Sequence, residues 1–420
     1  MTGPTTTFSA LGLCDELLQS VAEKGYDTPS EIQIEAVPAI LSERDVMAVA
    51  QTGTGKTASF VLPILHLIHN AKKTDSGLIR ALIIAPTREL AAQVATSVEA
   101  YSKYTNLRSF AVFGGVRIES QLIELQKGLD ILVATPGRLL DLYNNHSLSF
   151  DDIAFFVLDE ADRMLELGFI DDIRHIQTLL PKQRQTLLFS ATFSKEIKSL
   201  AQGMLKQPIS LEIKNTNNNI NTITQMLHPV EKERKTELLR YLIEQHKWHQ
   251  LLIFIKTKRD ADALRDTLGE AGISAESIHA NRTQHARTKA LEGFKQGTIQ
   301  VLVATDIAAR GIDINQLPCV INYNLPYVPE DYVHRIGRTG RASAEGLAIT
   351  LFSEDEAKQL RAIERSTGRQ FKRHFIPAFA PPKKVIEKKV EDDGDLYGHF
   401  EADINPKKKA KGRGRKRRGR

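Results

Sequence analysis

Cysteine is nearly absent from this 420-residue chain: there are two, Cys14 and Cys319, far apart in sequence. That excludes a disulfide framework or a cysteine-based zinc site and suits a reducing compartment. Long apolar runs are missing as well. The longest, Phe60 to Ile68, is interrupted by Pro63 and His66 and is far too short to span a bilayer. The first residues carry no basic flank followed by an apolar core, so no secretory signal peptide is expected. The expectation is a soluble, cytoplasmic protein with no membrane partner.

An excess of charge is missing from most of the chain too. The formal net charge is +6, yet the segment from Pro381 to Arg420 alone holds 14 Lys/Arg against 7 Asp/Glu, a local balance of +7. The basic character therefore belongs to the tail and not to the body. Its last sixteen residues carry ten cations and, apart from Pro406, no apolar side chain larger than alanine. Such a segment buries too little surface to offset chain entropy, so residues 381–420 read as a disordered basic tail.

What is present is ordinary globular material. Hydrophobic residues make up 41% and charged residues 26%, enough for two cores in a chain of this length. Short apolar runs alternate with amphipathic helical stretches. Strands are expected at Asp45–Ala50, Ala81–Ala85, Ile131–Ala134, Phe155–Leu158 and Thr186–Phe189, near-continuous apolar runs of the kind parallel strands show when both faces are covered. The pattern pauses in the asparagine-rich stretch 214–222. It resumes at Gln250–Ile255, Val301–Ala304, Val320–Tyr323 and Leu347–Leu351. The reading is α/β: two parallel sheets flanked by helices and joined by a linker at 214–222. No repeat with a period of 20–50 residues is visible.

Two stretches carry chemistry. Ala50-Gln51-Thr52-Gly53-Thr54-Gly55-Lys56-Thr57 follows a strand and opens a helix, the setting that a phosphate-binding loop requires. Gly53 and Gly55 let backbone N–H groups turn toward phosphate oxygens, Lys56 reaches the β- and γ-phosphates, and the Thr57 hydroxyl binds Mg²⁺. The second stretch is Val157-Leu158-Asp159-Glu160-Ala161-Asp162, an apolar strand ending in carboxylates. Asp159 is suited to hold Mg²⁺ through water, and Glu160 to orient and deprotonate an attacking water. A lone acidic cluster is usually a solvated loop. About a hundred residues after a phosphate loop it reads as the second half of a phosphoryl-transfer site, because that chemistry needs both parts.

Ten motifs in fixed order then make the chain resemble the DEAD-box RNA helicases over nearly all of residues 8–355. They are Gly25-Tyr-Asp-Thr-Pro-Ser-Glu-Ile-Gln33, the phosphate loop, Pro86-Thr-Arg-Glu-Leu90, Gly114-Gly115, Thr135-Pro-Gly-Arg138, Asp159-Glu-Ala-Asp162, Ser190-Ala-Thr192, Ile253-Phe-Ile-Lys-Thr257, Thr305-Asp-Ile-Ala-Ala-Arg-Gly-Ile-Asp313 and His334-Arg-Ile-Gly-Arg-Thr-Gly-Arg341. Within the family the chain looks most like the bacterial RhlE group, through Leu158–Leu165 and the Lys/Arg tail.

The resemblance implies two RecA-like domains. Residues 6–34 form the Q motif region, 37–213 the first domain with the ATP-binding motifs, and 223–380 the second. It implies ATP as the nucleotide, read by Gln33 with Phe8 stacked on the base. A side-chain amide offers one donor and one acceptor to N6 and N7 of adenine, and guanine would leave an acceptor facing an acceptor. Arg338 and Arg341 resemble arginine fingers from the second domain, and Asp313 a ribose contact. Arg88, Gly115, Thr135 and Arg138 resemble RNA contacts of the first domain; Thr257, Gln284, Arg287 and Thr305 resemble those of the second. Asp162, Ser190, Thr192 and His334 resemble residues that couple the nucleotide cleft to the RNA rim. One departure stands out: Ala280 follows His279 where the family usually carries glycine.

The implied function is an ATP-dependent RNA helicase that hydrolyses ATP on RNA and locally separates short duplexes without sequence preference. A monomer is expected, and family analogy offers ribosomal RNA or RNA-decay machinery as partners. Two rival readings share the same engine. One is a nucleotide-gated RNA clamp, distinguished by strand displacement on a short duplex. The other is a DNA helicase, distinguished by competition between matched RNA and DNA strands.

Overall fold

The computed structural model describes residues 6–50, 53–71, 78–213, 223–309, 314, 317–340 and 346–382. Within them the chain builds two sheets in which every strand pair is parallel. The first contains β1 (Val46–Val49), β2 (Ala81–Ile84), β3 (Ser109–Val112), β4 (Ile131–Ala134), β5 (Phe155–Leu158), β6 (Gln185–Ser190) and β7 (Ile209–Glu212), in the order β3-β4-β2-β5-β6-β1-β7. The second contains β8 (Ile223–Pro229), β9 (Leu251–Phe254), β10 (Ala275–Ile278), β11 (Val301–Ala304), β12 (Cys319–Asn322) and β13 (Gly346–Phe352), in the order β10-β11-β9-β12-β13-β8.

The alternation of the strands explains why helices cover both faces. In the first sheet Val46, Ala48, Ile83, Val133, Val157 and Leu187 belong to one core, whereas Met47, Leu82, Ile84, Leu132, Phe156 and Leu188 belong to the opposite one. The second sheet repeats this: Leu251, Ile253, Val301 and Ile321 pack on one side, and Leu252, Phe254, Leu302 and Val320 on the other. A strand buried on both faces has no polar side to present, hence the continuous apolar runs.

Every strand expected from those runs is present, with ends shifted by a residue or two. Four more occur where no run signalled one: β3, β7, β8 and β10. They are the four edges of the two sheets. An edge strand is covered on fewer sides, and the polar or half-buried residues in Ser109–Val112 and Ile209–Glu212 reflect that.

Residues 6–34 are not an appendage. Phe8, Leu11, Leu13, Leu17, Val21 and Ile32 lie in the same core as β1 and the helix Lys56–Asn70. In the second half, the Lys235 ammonium is buried and donates to Glu356 Oε2 at 2.6 Å and to the Tyr323 carbonyl at 2.9 Å. Burial pulls its pKa below the usual lysine value while Glu356 opposes the shift. A buried ammonium left without that carboxylate is strongly destabilising, so the pair fixes the helix Lys235–His246 to the turn after β13. No helix among the described residues is long and apolar enough to cross a membrane. The linker stretch 214–222 and tail residues 383–420 lie outside the described residues.

Candidate active site

Ligands of parallel α/β sheets gather at the carboxyl ends of the strands, and here the candidate residues divide along that edge. The loop after β1 leads through Gly53–Gly55 into the helix Lys56–Asn70. Gly55 has φ 93°, and a Cβ there would stand 2.5 Å from Gln33 Nε2, so conformation and space both demand glycine. The strand entering the loop is tied to β6 by the Ala50 N–H, which donates to the Ser190 carbonyl at 3.1 Å.

Asp159 follows directly on β5 and is 2% exposed; Lys56 opens the helix Lys56–Asn70 and is 6% exposed. Asp159 Oδ1 and Lys56 Nζ are both buried without a hydrogen-bond partner among the described residues. Burial pushes the Asp159 carboxyl up to about 7, with Lys56 opposing and Glu160 adding to the rise. A buried carboxyl and a buried ammonium held near each other, each unsatisfied, form a place made for additional charges: phosphate oxygens for the ammonium and a cation for the carboxylate. Glu160 follows in the left-handed conformation, φ 54° and ψ 54°, immediately before the short helix Ala161–Glu166. A non-glycine residue held there is a constraint of the kind that functional sites retain.

Gln33 lies beside the same loop. Its Oε1 accepts the Ser30 N–H at 2.9 Å and its Nε2 donates to the Gly55 carbonyl at 3.2 Å. These bonds fix the amide's orientation and leave one N–H and one lone pair unused among the described residues. Phe8, Gln33, Lys56, Asp159, Glu160 and Arg338 all line one cavity of about 760 Å³. Gly53, Thr54, Gly55 and Thr57 line it too. Arg338 comes from the second half of the chain, so the cavity joins both sheets. Gln51, Thr52, Asp313 and Arg341 lie outside the described residues.

The other candidates follow neighbouring strands on one side of each sheet. Arg88, Gly115 and Thr135 come after β2, β3 and β4; Thr257 and Thr305 come after β9 and β11. Gly115 has φ 80°, and a Cβ there would overlap the Arg88 guanidinium. Arg138 donates through Nη1 and Nη2 to the Val116 carbonyl, each at 3.1 Å, and so braces the same loop. Thr257 caps its helix by accepting the Asp260 N–H at 3.1 Å. Ala280 has a backbone φ outside the left-handed region, so the methyl group that replaces the family's glycine imposes no strain there.

Gln284 and Arg287, expected to meet RNA, are turned across the divide between the two sheets. Both face Glu89 of the first half: Arg287 Nη2 lies 2.8 Å from Glu89 Oε2, and Gln284 Nε2 donates to Glu89 Oε1 at 3.1 Å. The pair is nearly dry, with side-chain exposures of 8% and 6%. Burial draws Arg287 below its ordinary pKa, and Glu89 resists the shift. Glu89 was not singled out from sequence, although it sits in Pro86-Thr-Arg-Glu-Leu90. A charged residue on the buried side of the helix Arg88–Tyr101 was the available signal; what it would face was not.

Of the residues expected to couple the cleft to the rim, Asp162, Ser190 and Thr192 lie together. Asp162 Oδ2 accepts the Ala191 N–H at 3.1 Å, and Ser190 Oγ donates to the Thr192 carbonyl at 2.9 Å. His334 lies in the helix Pro329–Ile336, 3.9 Å from Asp331. The next residue, Arg335, was also unsignalled. It is 2% exposed and grips Asp306 through two bonds of 2.6 and 2.7 Å, while Nη1 donates to Asn322 Oδ1 and the Asn324 carbonyl. It thereby ties the residue after Thr305 to the turn that carries Arg338.

Known proteins resemble this chain along most of its length. Residues 30–200 match the model of the DEAD/DEAH box helicase family, and residues 234–343 that of the helicase conserved C-terminal domain. The chain is 41% identical over 391 residues to the DEAD-box ATP-dependent RNA helicase CshA of Bacillus cereus, covering 92% of this chain and 74% of that one. It is 42% identical over 374 residues to the RNA helicase CrhR of Synechocystis, covering 89% and 75%. Among solved structures, S. cerevisiae Dbp5 bound to RNA and ADP BeF3 superposes with a TM-score of 0.79 at 32% identity, covering 88% of this chain and 95% of that one.

Proposed function

Because the chain belongs to the DEAD-box ATP-dependent RNA helicases, we propose that ATP and one RNA strand together close its two RecA-like lobes, and that hydrolysis reopens them. The protein is an ATP-dependent RNA helicase, an enzyme whose reaction is ATP hydrolysis. The observation that carries the proposal is the single cavity lined by Lys56, Asp159 and Glu160 from one sheet and Arg338 from the other.

In that cavity Lys56 neutralises the β- and γ-phosphates. Glu160 takes the proton from a water as its oxygen attacks the γ-phosphorus and the bond to the β-phosphate oxygen breaks. Arg338, joined by Arg341, stabilises the charge spread over the transferring group. Because those cations belong to the second lobe, hydrolysis waits for closure. Gln33 and Phe8 select adenine, and Asp313 reads the ribose. The donor set fits Mg²⁺: a buried carboxylate with an unpartnered oxygen, supplemented by the Thr57 hydroxyl. When bound, Mg²⁺ supplies charge neutralisation on the phosphates.

RNA lies along the carboxyl ends of β3-β4-β2 and of β10-β11-β9, where Arg88, Gly115, Thr135, Arg138, Thr257 and Thr305 suit phosphates and 2′-hydroxyls and carry no base code. Gln284 and Arg287 serve closure first, through Glu89, and border that path. Asp162, Ser190, Thr192 and His334 carry the state of the nucleotide to it. The Q motif region, first lobe, linker, second lobe and tail keep the boundaries 6–34, 37–213, 214–222, 223–380 and 381–420. The narrower likeness to the RhlE group rests on Leu158–Leu165 and the tail. The working form is a cytoplasmic monomer, with ribosomal RNA or RNA-decay machinery as the partners that family analogy offers.

The test is the ATP hydrolysis rate with and without single-stranded RNA, matched DNA and a short RNA duplex, together with strand displacement on that duplex. RNA should stimulate, DNA should not, and the duplex should separate when ATP is present. Hydrolysis without displacement would replace the helicase by a nucleotide-gated clamp. Equal stimulation by DNA would remove the RNA preference.

A further inference from the structure

The helix that begins at the phosphate loop ends beside the N-terminal segment, and chemistry-bearing side chains meet there without a role in the nucleotide site. Cys14 immediately precedes the helix Asp15–Glu23, Glu16 lies in its first turn, and His69 stands near the end of the helix Lys56–Asn70. One ligand atom from each, the thiol sulfur, a carboxylate oxygen and an imidazole nitrogen, lies within 4.8 Å of the other two. His69 Nε2 and Glu16 Oε1 are 3.7 Å apart. The cluster is braced from below: the Cys14 N–H donates to His66 Nδ1 at 3.0 Å, which fixes the cysteine backbone to the same helix that presents His69. Metal sites depend on such outer bonds to hold their ligands in place.

We propose that Cys14, Glu16 and His69 form a Zn²⁺ site that staples the N-terminal segment to the phosphate-loop helix. Two cysteines in the whole chain exclude a site built on several thiolates, but not a mixed one. One thiolate, one carboxylate and one imidazole are all zinc ligands, and three of them leave a fourth tetrahedral position for water. The sulfur also discriminates against the Mg²⁺ that accompanies ATP, since hard cations take oxygen ligands. Binding forms a zinc–sulfur bond and releases the Cys14 proton, so zinc affinity rises with pH. The segment so held carries Phe8, which packs in the first core and lines the nucleotide cavity. Zinc occupancy therefore steadies the adenine side of the site from a distance, touching neither phosphate nor RNA.

The experiment uses the full chain without an affinity tag. Zn²⁺ binding is measured by calorimetry in excess Mg²⁺, and Co²⁺ serves as a spectroscopic probe. One Zn²⁺ per chain should bind, and Co²⁺ should give visible bands with a thiolate charge-transfer band. That band belongs to Cys14, because Cys319 is buried. Zinc, but not Mg²⁺, should slow labelling of Cys14 by a thiol reagent. Cys14→Ser and His69→Ala should each weaken zinc by about tenfold or more, with unchanged circular dichroism and melting in the metal-free state. Cys319→Ser should leave binding and the cobalt spectrum as they were. Zinc binding unchanged in both Cys14→Ser and His69→Ala, or labelling of Cys14 indifferent to zinc, overturns the proposal.

Discussion

Removing Glu89 should open the molecule without unfolding it. Its carboxylate receives Arg287 at 2.8 Å and the Gln284 amide at 3.1 Å, across the divide between the two sheets. A lone charge that must stay buried costs about 3–5 kcal/mol. Here Arg287 regains water as soon as the lobes part, so the loss falls on closure and not on folding. A hydrogen bond to a charged group contributes about 1.5–3 kcal/mol. With one charge-assisted pair and one amide bond gone, Glu89→Ala should weaken closure by about 2–3 kcal/mol, roughly 30- to 150-fold. The assay is the affinity for a single-stranded RNA with and without a non-hydrolysable ATP analogue. The wild-type difference measures the coupling between the two ligands. Glu89→Ala should shrink that difference and leave nucleotide-free RNA affinity and melting temperature alone. A cycle with Arg287→Ala should be strongly non-additive, since the second substitution finds no partner left to remove. The reasoning fails if the two effects simply add. It fails also if Arg287→Ala lowers RNA affinity without nucleotide and reduces the salt slope by about 0.7, which would make Arg287 a phosphate contact.

Other outcomes follow from the same site. Folded Asp159 holds its proton up to about 7, whereas the unfolded chain releases it in the ordinary carboxylate range. The folded state therefore binds more protons in that window, and stability of the nucleotide-free protein falls as pH rises through it; Asp159→Asn should flatten this slope in denaturant titrations. Glu160→Gln should keep ATP and RNA affinity and slow turnover by roughly 10²–10⁴; near-normal turnover would move the base elsewhere. Arg338→Ala, like Arg341→Ala, should lower hydrolysis by about 10³ or more. A fragment ending at Asn215 should share that deficit, and robust RNA-stimulated hydrolysis by the fragment would refute a cleft completed by the second lobe. Truncation after Pro382 removes most of the basic excess and should weaken duplex RNA binding at low salt while sparing basal ATPase; parallel salt plots with equal intercepts would show that the tail binds nothing.

The sequence made the sheet centres legible and the edges obscure, for a reason visible in particular strands. Ile131–Ala134 and Phe155–Leu158 are covered above, below and on both sides, so their apolar runs admit little else. Ser109–Val112 and Ala275–Ile278 have a neighbour on one side only, and serine, glutamate and alanine serve there as well as valine. The site divides similarly. Lys56, Asp159 and Glu160 could be read because a loop or a strand end imposes their local pattern. Gln33 drew attention through its amide, but its role as a brace on Gly55 carried no local signal. Glu89, and the turning of Gln284 and Arg287 toward it, depend on how one sheet meets another, which no local spacing encodes. Arg335 and Arg338 share one motif and are both buried, yet one is held by Asp306 and Asn322 as a strut while the other lines the cavity.

That strut complicates any genetic map of this protein. Arg335 holds Asp306, beside Thr305, and also anchors the turn leading to Arg338. A screen for inactive variants would therefore return Arg335 and Asp306 alongside residues that meet ATP or RNA, with the phenotype of either. Suppressors would tell them apart. A lost ligand contact is restored only by a group that reaches the ligand, whereas a lost strut is restored by any change that refills the gap between the two loops, so a substitution at either position should be rescued by a matching change at the other.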